Sequence, residues 1–417
     1  MVDSDMKNTI TVNGRSYRKP TRPTVVVCFD GFDPAYLGKG LSDGILPSLA
    51  RCQAQGFSSF ADAIIPSFTN PNNTSIVTGV VPAVHGISGN FYLDRATGEE
   101  VMVTDGRLMR CETILGSMSQ SGVRVAAVTA KDKLRRMLSH KLQGISFSSQ
   151  CANEATVKEN GIGDVEALVG RSTPDQYDPD LSLFVMDAGV RLVERGLVDL
   201  LYLSLSDLVQ HAYAPGEPKS NEFHTAVDAR IGRLIDLGAV VGVVADHGMN
   251  DKANTDGSPS VIFLQDELAK RFGEGAARVI CPVTDPFVRH HGALGSYVRV
   301  YARNHSNVDE LMAATAEIPG VELVLSGQDA ADRFGLPVEF EGDFAVLSDA
   351  GTAIGATASE HDLSGLAGHR LRSHGGLSEQ RVPFLMSHAL TDVYSERAKK
   401  VGLKNYDIFE FVLNGAT

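Results

Sequence analysis

The amino-acid sequence predicts an α/β fold in which a largely parallel sheet is flanked by helices, together with a smaller α+β insertion. Continuous apolar, β-branched runs such as TVVVCF are typical of strands that are buried on both faces. Amphipathic stretches with helical spacing lie between these runs, and such alternation indicates βα units and a parallel sheet. After residue 254 the pattern changes, and short alternating strands replace the buried runs.

The first elements of the chain are a predicted hairpin and a buried strand. The segment ITVNGRSY places an Asn-Gly pair between two short β-prone stretches, and tight hairpin turns prefer this pair. Residues 24–29 form the first continuous apolar run. Comparable runs at 123–130, 198–206 and 239–245 predict three further strands of the same sheet.

Three helices are predicted between or beside these strands. ETILGSMSQSG stops at Gly122, LSLFVMDAGVRLVERG spans 181–196, and FHTAVDARIGRLIDLG spans 223–238. Each has apolar residues at helical spacing and ends in glycine, which readily adopts the left-handed conformation that terminates helices.

Residues 255–365 are predicted to form the insertion. They contain SYVRVYA, VELVLS and FAVLSD as short strands and VDELMAATAEI as a helix, separated by turns that contain glycine or proline. SHGG and VPFLMS then return to the pattern of the main sheet. We therefore predict a catalytic core of residues 1–254 and 366–417 and a cap of residues 255–365.

Composition and charge restrict the functional class. The chain has 417 residues, of which 43% are hydrophobic and 21% charged, as is typical of a soluble globular protein. A net charge of −13 argues against nucleic-acid binding but not against a small anionic substrate. No apolar tract is long enough for a membrane span, and five scattered cysteines without a secretory signal predict a cytoplasmic protein. The chain length favours a homodimer.

Polar residues follow each of the four buried runs. Asp30, Lys131 and Asp207 come after the first three, and Asp246 and His247 come after the fourth. Ligands of open α/β sheets bind beyond the carboxyl ends of the strands, so we expect these side chains to meet at one edge. A single aspartate at such a position is often only a helix cap. The whole set favours a functional site.

Two histidines extend this site. In DLVQH, His211 lies four residues after Asp207, so both side chains project from one face of a helical turn. His374 lies in RSHGG, where glycines allow close approach of the backbone. The alternatives are that Asp207 and His211 form an ordinary surface pair and that His374 is an ordinary loop histidine. Carboxylates combined with imidazoles favour zinc or manganese over calcium or magnesium.

The segment PSFTNPNNTSIVTG offers a nucleophile. Thr69 precedes Asn70 and Pro71, and proline suits the start of a helix, so this hydroxyl is expected near a helix N-terminus that attracts anions. Two metals can clamp the attacking and leaving atoms of a displacement at phosphorus. A plain capping turn is the alternative. The other hydroxyls of the segment belong to Ser67, Thr74, Ser75 and Thr78.

These residues lie in motifs that resemble the alkaline phosphatase superfamily, in particular its nucleotide pyrophosphatase/phosphodiesterase-like branch. The motifs are VVVCFDGFDP, PSFTNPNNTSIVTGVVPAVHGISGN, LSLSDLVQHAY, VVADHGM and RSHGG, and they span residues 24–376 in the order of the family. The resemblance implies an alkaline phosphatase-like core and a metal-dependent hydrolase. Within that branch the chain is most similar to the phosphonoacetate hydrolases, which split a carbon–phosphorus bond into acetate and phosphate and carry a cap.

The resemblance further implies two zinc ions per chain, for which Mn2+ or Fe2+ can substitute, and a phosphothreonine intermediate on Thr69. The implied ligands are Asp30, Asp246, His247 and Thr69 for one zinc, and Asp207, His211 and His374 for the other.

The implied substrate-binding residues are Thr69, Asn90, Lys131 and Lys133. Asn90, in HGISGN, would donate a hydrogen bond to a phosphoryl oxygen. The two lysines, in AVTAKDKLRRML, would bind the carboxylate and phosphonate of phosphonoacetate, because ammonium groups suit a small, multiply charged ligand. A solvated helix start is the alternative for the lysine pair.

Other functions remain open from the sequence. A phosphodiesterase, nucleotide pyrophosphatase or phosphomonoesterase on the same scaffold is the main alternative. A mutase of the cofactor-independent phosphoglycerate type is disfavoured, since the nucleophile position holds threonine rather than serine. A non-catalytic metal-binding protein is disfavoured because every candidate ligand is present. We interpret His85 as structural, and His290 and His291 as cap residues near the mouth of the site.

Overall fold

Strands at the predicted apolar runs build the central sheet of the protein. The computed structural model describes residues 8–286, 288–366 and 368–417; residues 1–7, 287 and 367, which belong to the predicted core and cap, lie outside the described residues. The strands are β1 Thr9–Val12, β2 Arg15–Arg18, β3 Thr24–Cys28, β4 Phe57–Asp62, β5 Phe91–Leu93, β6 Glu100–Met102, β7 Val125–Thr129, β8 Ile145–Ser148, β9 Leu200–Ser204, β10 Val240–Val244, β11 Asn250–Asp251, β12 Val261–Phe263, β13 Ala277–Ile280, β14 Tyr297–Ala302, β15 Val321–Ser326, β16 Phe344–Ser348, β17 Ala353–Gly355, β18 Arg372–Ser373 and β19 Arg381–Met386.

In the described chain, seven strands form the main sheet in the order β4-β19-β10-β3-β9-β7-β8. The run from β10 to β8 is parallel, whereas β19 is antiparallel to both of its neighbours. Every residue of β3, β7, β9 and β10 is buried, which explains their continuous apolar sequences. The predicted α/β fold with a largely parallel sheet is confirmed.

Helices connect the strands and pack on them. Asp180–Glu194 and Pro218–Asp236 contact each other and the strands β9 and β10, respectively. Of the described residues, no helix is long and apolar enough to cross a membrane. The α-helices are Pro34–Ser42, Pro47–Gln55, Thr69–Thr78, Pro82–His85, Ile114–Gln120, Asp132–Leu138, Val157–Asn160, Val165–Val169, Asp180–Glu194, Leu208–Ala212, Pro218–Asp236, Leu264–Phe272, Val308–Ala316, Gly327–Phe334, Asp392–Lys400 and Ile408–Glu410.

Glycines end the three helices predicted from sequence. Gly122, Gly196 and Gly238 follow the helices within two residues and have φ values of 89°, 61° and 83°. The predicted hairpin is also present: β1 and β2 pair antiparallel, and Asn13 and Gly14 at its turn both have positive φ. Two successive positive φ values define the turn that Asn-Gly favours.

Two strands of the main sheet lie at its ends and were not predicted. β4 has the sequence FSSFAD and only one buried residue, so it lacks the continuous apolar run that identifies an interior strand. β8, ISFS, is only four residues long. Short or polar sequences are typical of edge strands, which pair on one side only.

The predicted insertion contains its own sheet. Over its described part, four strands pair antiparallel in the order β13-β14-β16-β15, and the helix Val308–Ala316 packs on β15 and β16. These strands bury a second hydrophobic core, which also includes Ile65 and Phe68 from outside the insertion. β11 and β18 pair antiparallel where the chain enters and leaves this region. The domain boundaries at 254 and 366 stay a prediction.

Candidate active site

The polar residues that follow the buried strands meet at one edge of the sheet, as expected. Asp30 lies two residues after β3, Asp207 three residues after β9, and Asp246 two residues after β10. Lys131 follows β7 in the same way. Because these four strands are neighbours and parallel, their carboxyl ends deliver the side chains to one place.

Asp30, Asp246 and His247 form the first group of candidate metal ligands. All three are buried, and one donor atom of each lies within 4.8 Å of the others. His247 Nε2 is 3.2 Å from Asp30 Oδ1 and 3.3 Å from Thr69 Oγ1. Neither oxygen of Asp30 has a hydrogen-bond partner among the described residues. A fully buried carboxylate without a donor is the environment that a cation satisfies.

Asp207, His211 and His374 form the second group, again within 4.8 Å of one another. The turn Leu208–Ala212 brings His211 Nε2 to 2.9 Å from Asp207 Oδ2, and His374 Nε2 lies 3.7 Å from the same oxygen. Asp207 Oδ2 is 4.0 Å from His247 Nε2. The two groups are therefore adjacent.

Backbone carbonyl groups fix the orientation of all three imidazoles. In each ring Nδ1 donates its N–H to a carbonyl oxygen, and this leaves Nε2 facing the carboxylates. The acceptors are Arg372 O for His211 at 2.7 Å, Gly248 O for His247 at 2.9 Å, and Ser67 O for His374 at 2.7 Å. Histidines that ligate metals are held in this way.

Burial and neighbouring charges shift the pKa values of Asp30 and His247 strongly. Burial raises the pKa of Asp30, to about 8, and the negative charges of Asp207 and Asp246 add to the rise. Burial alone would lower the pKa of His247, but Asp246 and Asp30 outweigh it and raise it to about 10. Three buried carboxylates with inward-facing imidazole nitrogens are a donor set that fits two divalent cations of the zinc type.

Thr69 is the first residue of the helix Thr69–Thr78. Its position brings the hydroxyl to the ligand groups and places it at a helix N-terminus, which favours an anion. Asn73, one turn later, donates from Nδ2 to Thr69 O and to Asp246 Oδ2, each at 3.0 Å.

Asn90, Lys131 and Lys133 line the same cleft as Thr69. Lys131 Nζ lies 3.3 Å from Asp207 Oδ1; burial alone would lower its pKa, but Asp207 and Asp30 raise it above its usual value. The Lys133 side chain is only 8% exposed. The alternative of a solvated helix start is therefore wrong for this lysine.

The histidines outside the two groups have different environments. His290 and His291 also line the cleft, and with His211 they form a third cluster of imidazoles within 4.8 Å. His291 is buried. His85 hydrogen-bonds through its two ring nitrogens to Ser75 Oγ and the backbone N–H of Ile87, and burial lowers its pKa to about 3. A neutral, fully hydrogen-bonded ring fits the structural interpretation of His85.

Sequence reasoning missed two residues at this site. Asn73 lies inside the quoted nucleophile segment, but no pattern separates it from its polar neighbours. Asp285, in the insertion, lines the cleft and pairs with Lys133. The sequence PVTDPF around it is an ordinary proline-containing loop, so only the three-dimensional structure reveals the contact.

Comparisons with known proteins identify the relatives of this chain. A family model described as type I phosphodiesterase / nucleotide pyrophosphatase matches residues 24–376. A phosphonoacetate hydrolase from Sinorhizobium meliloti 1021, solved in complex with phosphonoformate, is 44% identical with a TM-score of 0.92, over 98% of this chain and 99% of that chain. Its complex with phosphonoacetate gives 43% identity and a TM-score of 0.91 over the same shares.

Two curated relatives match over shorter stretches. An uncharacterized pyrophosphatase/phosphodiesterase of Schizosaccharomyces pombe is 25% identical over 246 residues, 58% of this chain and 44% of that protein. A phosphonoacetate hydrolase of Penicillium oxalicum is 70% identical over 30 residues, 7% of this chain and 42% of that sequence. Each match thus spans less than half of the relative's length. The chain belongs to the type I phosphodiesterase / nucleotide pyrophosphatase family of hydrolytic enzymes, within the alkaline phosphatase superfamily, as its motifs predict.

Proposed function

We propose that the chain hydrolyses the carbon–phosphorus bond of phosphonoacetate and releases acetate and phosphate. The observation that carries the proposal is the position of Lys131 and Lys133 in one cleft with Thr69, beside two groups of candidate metal ligands. A relative solved with phosphonoacetate, 43% identical over 98% of this chain, supports the choice of substrate.

The two ligand groups would hold two Zn2+ ions, with Mn2+ or Fe2+ as substitutes. The proposed ligands are Asp30, Asp246, His247 and Thr69 for one ion, and Asp207, His211 and His374 for the other. When bound, the ions supply positive charge to the phosphoryl oxygens and lower the pKa of a coordinated hydroxyl.

The residues of the chain divide the reaction into two steps. Thr69 releases its hydroxyl proton to water and Oγ1 attacks phosphorus in line, while Asn90 donates from Nδ2 to a phosphoryl oxygen. The carbon–phosphorus bond breaks, and its electron pair spreads from carbon onto the carboxylate oxygens of the leaving acetate. Lys131 and Lys133 stabilise that developing charge, and the carbon then takes a proton from water. Water hydrolyses the phosphothreonine, which returns the Thr69 hydroxyl and releases phosphate.

The lysines distinguish this function from the alternatives on the same scaffold. The substrate of a phosphodiesterase or phosphomonoesterase has an oxygen leaving group without a required carboxylate. Such an enzyme therefore needs no lysine pair to bind one. Phosphonoacetate offers a carboxylate three bonds from a phosphonate oxygen, and a pair of ammonium groups beside the nucleophile suits both anionic ends.

Phosphate release by the zinc-loaded protein tests the proposal. We expect phosphonoacetate to be preferred over p-nitrophenyl phosphate and bis-p-nitrophenyl phosphate. Thr69→Ala should lower turnover by more than about 10³-fold because the nucleophile is lost, whereas Thr69→Ser keeps a hydroxyl and should retain measurable activity. Lys131→Ala and Lys133→Ala should lower the hydrolysis rate of phosphonoacetate more than that of p-nitrophenyl phosphate.

Preference for either aryl ester would reject the proposed substrate while leaving the family assignment intact. Full activity of Thr69→Ala would reject the phosphothreonine intermediate. The cytoplasmic location and the homodimer stay predictions, which fractionation and light scattering can test.

A further inference from the structure

Asp285 brings a carboxylate of the insertion into the substrate cleft. It lies in the loop between β13 and the 3-10 helix Val288–His290. Its Oδ2 forms an ion pair with Lys133 Nζ, and the two side chains are 12% and 8% exposed. Both residues line the cleft that holds Thr69.

The ammonium group of Lys133 depends on this partner. Burial lowers the pKa of Lys133, the nearby Lys131 ammonium lowers it further, and the Asp285 carboxylate acts in the opposite direction. A buried charge whose partner is removed costs several kcal/mol. Without Asp285, Lys133 would therefore give up its proton more readily and lose its fixed direction.

The same loop also holds Asn90. The Asn90 backbone N–H donates to Pro282 O at 2.8 Å, and its Nδ2 donates to Val283 O at 3.2 Å. Residues 282–285 thus contact both the proposed phosphoryl donor and one of the proposed carboxylate-binding lysines. This loop links the insertion directly to the substrate-binding side chains.

We propose that Asp285 is a positioning residue that pairs with Lys133 and directs its ammonium group towards the carboxylate of the substrate, which makes the site selective for carboxylate-bearing phosphonates. This inference rests on the proposed function. Asp285 does not touch the reacting atoms; it acts through Lys133. The other titratable groups that line the cleft are Lys131, Asp207, His290, His291 and His374.

The role of Asp285 predicts a distinctive dependence on pH. Asp285→Asn removes the negative charge that raises the pKa of Lys133, so that pKa falls. Lys133 then loses its proton at a lower pH than in the wild type. The defect should be smallest near pH 6.5 and should grow as the pH rises towards 9, whereas a simple packing defect would not depend on pH in this way.

Ligand binding and turnover together test this role. Zinc-loaded wild type, Asp285→Asn and Asp285→Glu are titrated calorimetrically with phosphonoformate and with inorganic phosphate, which lacks a carboxylate, between pH 6.5 and 9. For Asp285→Asn we expect Kd for phosphonoformate and KM for phosphonoacetate to rise by about 10-fold or more at high pH, with phosphate affinity within about 2-fold of wild type. Asp285→Glu should recover part of the loss because it keeps the charge.

Control variants make the outcome decisive. Asp309→Asn alters an exposed carboxylate of the insertion and should match wild type, and Asp285→Ser is the second variant if Asp285→Asn does not fold. Suppose that wild type binds phosphonoformate and hydrolyses phosphonoacetate. Unchanged or tighter phosphonoformate binding by Asp285→Asn at every pH would then overturn the role of Asp285 and leave the proposed function intact. If wild type does neither, the proposed function fails and this inference fails with it.

Discussion

Asn73 connects the nucleophile, a candidate metal ligand and the sheet through one side-chain amide. Its Nδ2 donates to Thr69 O and Asp246 Oδ2, and its Oδ1 accepts hydrogen bonds from the Tyr202 hydroxyl at 2.7 Å and Ser204 Oγ at 2.9 Å. The amide is fully buried, so its four hydrogen bonds leave it one orientation. Together with the N–H groups of Gly31 and His247, which donate to Asp246 Oδ1, it fixes the direction in which the Asp246 carboxylate faces.

Replacing Asn73 should weaken metal binding without removing a ligand. In Asn73→Leu the Asp246 Oδ2 atom loses its hydrogen bond from Asn73, while the N–H groups of Gly31 and His247 still donate to Oδ1. We expect the less constrained carboxylate to lower zinc affinity by about 10- to 100-fold. Competition with a chromogenic chelator measures the change. Asn90→Leu is the matched control, since the Asn90 side chain donates to Val283 O and the contact is remote from the Asp246 carboxylate. Equal zinc affinity of Asn73→Leu and wild type would contradict this role.

The sequence predicts candidate ligands better than their supporting residues. Asp30, Asp207 and Asp246 could be found because each directly follows a buried strand, and parallel strands end at one edge. Asn73 and Asp285 act through contacts between segments 173 and 152 residues apart in the chain. No local pattern encodes such contacts, so these residues emerge only from the folded structure.

A buried ion pair joins the two loops that carry His247 and His374. Lys252 Nζ lies 2.9 Å from Glu379 Oε1, and both side chains are fully buried. Glu379 also accepts hydrogen bonds from Asn250 Nδ2 at 2.7 Å, Gly376 N at 2.9 Å and, through its backbone oxygen, Gly248 N at 2.7 Å. The side chain and the backbone carbonyl group of Glu379 thus hold the segments after β10 and β18 together.

Removing one member of this pair should be strongly destabilising. Glu379→Leu leaves the Lys252 ammonium buried without its carboxylate, and we expect the free energy of unfolding to fall by about 3–5 kcal/mol in denaturant titrations. The double variant Lys252→Met/Glu379→Leu should recover most of the loss because no charge remains unpaired. Glu267→Gln, which breaks an exposed pair with Lys270, should cost less than about 1 kcal/mol. A loss of similar size in the single and double variants would contradict the explanation.

Whether a strand could be predicted depended on its position in the sheet. Interior strands are covered on both faces and need continuous apolar sequences, so β3, β7, β9 and β10 were found. β4 and β8 lie at the two ends of the sheet, and this position relaxes the requirement on their sequences. Glycines at φ values near +60° to +90° marked the helix ends equally clearly, because other residues rarely adopt that conformation.

The protein as a whole combines an acidic chain with a cluster of buried carboxylates. The net charge is −13, and Asp30, Asp207 and Asp246 lie at the sheet edge with at most 3% of each residue exposed. Burial, with the charges of Asp207 and Asp246, disfavours the ionised form of Asp30 in the metal-free chain. Cations that bind only to the folded state shift the folding equilibrium towards it.

Zinc should therefore stabilise the whole molecule. When the free zinc concentration is about 100 times Kd, each occupied site adds about 2.7 kcal/mol to the free energy of unfolding. Tm therefore rises. Scanning calorimetry with and without chelator measures the shift. Mg2+ at the same free concentration should raise Tm less, because it prefers oxygen ligands to imidazole. The same Tm with zinc and with chelator would contradict a metal site in the folded protein.

The pairing of β11 with β18 has a consequence for how this scaffold can diversify. Because these two short strands are hydrogen-bonded neighbours, the chain leaves the core and returns to it at almost the same point. Insertions, deletions or replacement of the intervening segment can accumulate over evolutionary time without rerouting any strand of the main sheet. The catalytic chemistry can thus be inherited unchanged while the accepted leaving group diverges with the exchanged segment.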